Sequence, residues 1–194
     1  MHRKIGRAQQ QATPLTKPLL NRLLDNCDNS IMSIRNKVLL RLGYETMRRR
    51  SELCAFKFTD ISQAPNGKPV IRLNFSKTDQ FGTGKIIPIS EELLTLLHQW
   101  QAIVGDNGYV LRSIRRHGNI GQHLSPSSVS VILKTLQATI YSDKNTPPLS
   151  GHSFRVGAAL DLLEQGEPLE KIMLRGGWQS DSTAMKYLRS WIAC

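Results

Sequence analysis

The sequence predicts an α+β domain, mostly α-helical with one small antiparallel β-sheet. Apolar residues recur at helical spacing from residue 16 to about 50 and again from 90 to 191, whereas short β-rich runs broken by glycine turns are confined to residues 54–89. A chain of 194 residues with 40% hydrophobic side chains can bury a core without a disulfide or a structural metal. Disordered and small cysteine-stapled classes are thereby excluded.

Residues 1–15, with Gln9-Gln10-Gln11 and Pro14, read as a basic arm or linker ahead of one domain over 16–194. Thr16 caps a first helix carrying Leu19, Leu20, Leu23 and Leu24. Asn29-Ser30 starts a second with Ile31, Ile34, Val38, Leu39 and Leu42 inward. Cys54 to Phe58, Val70 to Phe75 and Lys85 to Ile89 read as three strands, with Asn66-Gly67 and Gly82-Thr83-Gly84 as their turns. Ser90 with Glu91-Glu92 opens a helix through Leu93, Leu97 and Trp100, since early acidic residues favour a helix N-terminus. Residues 105–126, rich in Gly, Asn, Arg and His, form a loop suited to face a partner. A helix runs from Ser127 to Tyr141, and Pro147-Pro148 interrupts the chain beyond it. Another starts at Ser150 and ends at Gly166, a short one spans Pro168 to Leu174, and the last runs from about Ser180 to Trp191.

The charge is asymmetric. Lys and Arg number 26 against 15 Asp and Glu, a net +11, and residues 1–50 alone hold eleven basic and three acidic side chains. Such a surface attracts a polyanion, because each cation that meets a phosphate releases condensed counterions. Aromatic residues are only 6% and do not alternate with the basic ones, which disfavours a base-stacking platform for single strands. No apolar run approaches the ~20 residues needed to span a bilayer, and Met1-His2-Arg3-Lys4 opens no secretory signal. Cys27, Cys54 and Cys194 form neither an even disulfide set nor a metal-binding pair, so a reducing, cytoplasmic setting is expected. Acidic residues do not cluster, and Gly82-Thr83-Gly84-Lys85 lacks the spacing of a phosphate loop, so neither a metal nor another cofactor is expected.

Several chemistry-bearing residues fall in a telling order. Arg48-Arg49-Arg50-Ser51-Glu52-Leu53 follows an apolar helix, and Ser76-Lys77-Thr78 lies in the hairpin. His152 and Arg155 sit three apart in Gly-His-Ser-Phe-Arg, near the positive end of a helix, and Gly176-Gly177-Trp178 precedes Tyr187. Over about residues 30–190 this ordered set resembles the tyrosine recombinase family, also called phage integrases.

That resemblance implies a role for each residue. Arg49, three before Glu52, and Arg155 hold the scissile phosphate of double-stranded DNA; guanidinium is always charged and offers a planar fork to two phosphate oxygens. Phosphorus gains negative charge on attack, so each fixed cation contributes about 3–4 kcal/mol of transition-state stabilisation, by analogy with oxyanion donors. Tyr187 is the nucleophile, a phenol that needs nearby positive charge to attack at neutral pH. Lys77 protonates the departing 5′ oxygen, with Lys85 as its rival, and His152 is an acid/base group. Trp178 stands where most members carry His and offers its indole N–H, while Glu52 orients the first arginine.

By the same resemblance residues 16–194 are a catalytic domain without an N-terminal core-binding domain, acting as a homotetramer on synapsed DNA. The reaction forms a 3′-phosphotyrosyl bond and needs no cofactor. A type IB topoisomerase, which relaxes supercoils with similar residues, and a non-catalytic basic DNA-binding module are the alternatives.

Overall fold

A computed structural model of the chain describes residues 12–74, 84–143 and 145–192, without the side chains of 186, 187 and 189–192. Among the described residues it forms eight α-helices and one three-stranded sheet. Helix α1 (Lys17–Asp25) follows an extended Thr16 and places Pro18 in its first turn, where a missing N–H costs nothing. Helix α2 (Ile31–Thr46) starts at Ser30, whose Oγ accepts the Ser33 N–H at 3.2 Å. It ends where Met47 takes a left-handed conformation, φ 53°. Helix α3 (Arg50–Ala55) begins three residues later.

The sheet is antiparallel in the order β1 (Ile61–Gln63), β2 (Pro69–Leu73), β3 (Lys85–Pro88), with Ile61 opposite Ile71 and Ile71 opposite Ile87. The reading of Cys54 to Phe58 as the first strand is corrected. Cys54 and Ala55 finish α3, Phe58–Asp60 is a single 3-10 turn, and the sheet starts only at Ile61. The β-like pattern nevertheless has a cause. Phe56 and Phe58 are buried and pair with another segment, through Val110 N–H to Phe56 O (2.9 Å) and Phe58 N–H to Gly108 O (3.1 Å).

Helix α4 (Glu91–Val104) is capped by Ser90, whose Oγ accepts the Leu93 N–H at 3.1 Å. After the 105–126 connection, which buries Val110, Leu111 and Leu124, come α5 (Pro126–Ile140), α6 (Ser153–Glu164), α7 (Leu169–Gly176) and α8 (Asp181–Ile192). Gly177, left-handed at φ 67°, ends α7. No helix among these residues is long and apolar enough to cross a membrane.

Helix α6 organises the molecule. Phe154 faces a large apolar cluster shared by α1, α2, α4, α5 and the sheet, whereas Ala158 and Ala159 face a smaller one containing Met47, Ile172, Trp178, Ala184 and Leu188. The segment leading into α1 is latched to the same helix. Leu15 is buried, its N–H bonds Ser153 O at 2.9 Å, and its backbone crosses Gly157 so closely that a Cβ there would lie 1.9 Å from Leu15 O. Leu15 is therefore part of the packed interior. Asp161 completes the anchorage, its Oδ2 accepting both the Lys17 N–H (2.7 Å) and the Tyr44 hydroxyl (2.5 Å).

Candidate active site

The three consecutive arginines diverge because the backbone leaves the helix at Met47 and stays extended at Arg49. Arg48 turns inward. It is buried, donates from Nε to Thr46 O at 2.7 Å and from Nη2 to Arg175 O, and so joins the carbonyl ends of α2 and α7. A cation suits that position, since helix C-termini carry partial negative charge. Arg49 is fixed by Glu52, which accepts its Nη1–H at 3.0 Å and its backbone N–H at 3.1 Å. Glu52 is buried while the Arg49 side chain remains 33% exposed, an arrangement that aims a preset guanidinium outward. Arg50 turns the third way, onto the segment before α6.

That segment is a laced turn. Ser150 N–H donates to Ser153 Oγ (2.9 Å), His152 N–H to Ser150 Oγ (3.3 Å), and Ser153 N–H to Ser150 O (2.9 Å). His152 is the N-cap residue of α6 and lies at the surface, whereas Arg155, one turn on, is buried. Loss of water on its inner side, then the charges of Arg155, Arg50 and Arg49, hold the His152 imidazole below its ordinary 6.5. Three guanidinium groups from two distant parts of the chain thus act on one imidazole, and at neutral pH that imidazole is a neutral acceptor.

Trp178 completes the cluster from the turn between α7 and α8. Its backbone N–H bonds Met173 O at 3.0 Å and its buried indole lies under Arg155, the guanidinium carbon 4.9 Å from the ring. Stacking on an aromatic face constrains the plane of the guanidinium.

The structure brings Arg49, Glu52, His152, Arg155 and Trp178 together. Lys77 lies outside the described residues. Tyr187 falls within α8, one position before the buried Leu188, and its side chain lies outside what is described. Lys85 opens β3, with burial first and Arg48 second holding its amine below the ordinary value. The other tyrosines are engaged elsewhere. Tyr44 donates to Asp161, and burial, reinforced by that carboxylate, holds its phenol far above the usual range. Tyr141 accepts from Arg22 at 3.1 Å, and Tyr109 has the Lys57 amine over its ring and a tilted contact with His123. The separate duties of Arg48 and Arg50 had no sequence signal, because a run of like residues does not reveal which way each side chain turns.

Comparison with known proteins places this geometry in context. The family model described as the phage integrase family matches residues 14–191. The Cre recombinase of Escherichia phage P1 is 29% identical over 181 residues, covering 87% of this chain and 52% of that protein. Among solved structures, the XerA recombinase superposes with a TM-score of 0.70 at 18% identity, over 93% of this chain and 61% of that one. A lambda integrase tetramer bound to a Holliday junction gives 0.69 at 20% identity, over 95% and 50%. The chain spans about half the length of the curated relatives it matches.

Proposed function

The chain belongs to the phage integrase family, and from that premise we propose that it is the catalytic domain of a tyrosine-type site-specific DNA recombinase. The observation that carries the reading is the convergence of Arg49, His152 and Arg155, with Trp178 stacked on the second arginine. Such a cluster of fixed cations suits a phosphodiester whose charge rises on attack.

In the proposed reaction the Tyr187 hydroxyl oxygen attacks the scissile phosphorus of duplex DNA. A phosphotyrosyl bond forms to the 3′ side and the bond to the 5′ oxygen breaks. Arg49 and Arg155 hold the non-bridging oxygens, Trp178 donates its indole N–H to one of them, and His152 assists transfer of the phenolic proton. Lys77 supplies the proton that the departing 5′ oxygen takes up. A 5′-hydroxyl of a second strand then reverses the step, and since one phosphoester replaces another no external energy source is needed. Strand exchange between two sites implies an assembly of four chains on paired DNA, in the cytoplasm where the DNA lies.

Nicked suicide duplexes drawn from candidate target DNA test the reading. A covalent protein–DNA adduct on denaturing gels, lost in Tyr187→Phe, together with strand exchange is the expected result. An adduct with supercoil relaxation alone would identify a topoisomerase, and binding without an adduct would reduce the chain to a DNA-binding module.

A further inference from the structure

Arg50 has no role in the chemistry above, yet its position is built with care. It opens α3 and is exposed. Its aliphatic stem lies across the Cα of Gly151, where a Cβ would sit 2.1 Å from Arg50 Cγ and 2.4 Å from Cδ, so no other residue at 151 admits it there. Its Nη1 donates to Ser130 Oγ at 3.3 Å, and the same oxygen accepts the Gly151 N–H at 3.3 Å. Helices α3 and α5 and the turn before α6 thus converge to orient one surface guanidinium beside His152.

That guanidinium is left with capacity. One of its five N–H donors is used by Ser130, and among the described residues no carboxylate pairs with it. Arg48 is committed to the interior and Arg49 to Glu52, so of the three consecutive arginines Arg50 presents the uncompensated charge. Its charge also adds to those of Arg49 and Arg155 around His152. Like charges concentrated in this way are unfavourable until a polyanion meets them. Each strand of a duplex supplies a phosphate about every 3.4 Å of helix axis, so a surface that grips one phosphate faces its neighbours as well.

We infer that Arg50, steadied by Ser130 and Gly151, binds a DNA backbone phosphate next to the one held by Arg49 and Arg155. It is a binding contact, made before reaction, and it rests on the recombinase reading for the place of that first phosphate.

The test is the salt dependence of binding to a short mixed-sequence duplex, measured by fluorescence anisotropy with the purified chain. Arg50→Gln is expected to lower the slope of log K against log salt by about 0.9 and to weaken binding about eightfold near 0.1 M salt. Arg50→Lys retains the slope because it retains the charge, and circular dichroism melting confirms that both variants fold. An unchanged slope in folded Arg50→Gln, or an equal loss of slope in Arg50→Lys, overturns the assignment. Should the wild type show the fuller slope but form no phosphotyrosyl adduct on any suicide duplex, the recombinase reading fails while the contact survives. Adduct formation with an unaltered slope removes the contact alone.

Discussion

Replacing Glu52 by Ala separates what that carboxylate does for the fold from the part proposed for it in the reaction. Glu52 accepts the orphan backbone N–H of Arg49 at 3.1 Å, a cap worth about 1 kcal/mol. It also pairs with the Arg49 guanidinium at 3.0 Å; because that side chain is 33% exposed, solvent screening limits the pair to about 0.5–1 kcal/mol. Glu52→Ala should therefore cost about 1.5–2 kcal/mol, read from urea unfolding, and lower Tm by about 3–8 °C. Catalysis should suffer separately. An Arg49 released from its partner regains up to ~2 kcal/mol of side-chain freedom that must be lost again in the transition state, a slowing of about 30-fold. The adduct rate on a suicide duplex at saturating DNA measures it. Glu52→Gln keeps a carbonyl acceptor for the cap and should lose about half as much stability. If Glu52→Ala loses under about 0.5 kcal/mol, or loses stability with no change in adduct rate, Glu52 does not orient Arg49.

The depressed pKa of His152 fixes a sign: the unfolded chain, with an ordinary value of 6.5, binds a proton more readily than the folded one. The stability it contributes is complete above 6.5 and is lost as pH falls from there through the lower folded value. Urea midpoints across that interval should fall for the wild type and stay flatter for His152→Gln; parallel curves would refute the shift. Arg155→Lys removes the planar fork stacked 4.9 Å from Trp178 and should reduce the adduct rate about 10²–10³-fold, with the melting curve retained as the control. Gly157→Ala sets a methyl group 1.9 Å from Leu15 O, and because the obstacle is backbone the chain must move. A loss of about 3 kcal/mol and faster proteolysis near Leu15 are expected.

Helix α2 and helix α4 were legible because their start signals are local: Ser30 and Ser90 cap the N–H groups of Ser33 and Leu93 as their positions suggest. The first strand was not, because β-like residues at 54–58 record burial without naming the partner. Phe56 and Phe58 pair with the 108–110 segment, about fifty residues away in sequence, and no local pattern carries that information. In the site, the order of Arg49, Glu52, His152, Arg155 and Trp178 was readable as a set, and the stacking of Arg155 on Trp178 was not, since it depends on how α6 meets the turn after α7. The half-buried link from Tyr44 and Lys17 to Asp161 was equally silent, for Asp161 looks like any polar residue of an amphipathic helix until its surroundings close over it.

The left-handed break at Met47 costs about 1–2 kcal/mol for a side-chain-bearing residue, and its return lies in geometry. Had α2 continued, residues 48, 49 and 50 would have fanned around one cylinder in steps of about 100°, three cations crowding the rim of a single rod. By unwinding there, the polypeptide sends one charge down as a strut, one forward beside Glu52 and one sideways onto the turn before α6. A single strained residue thereby converts a repetitive tripeptide into three separate instruments.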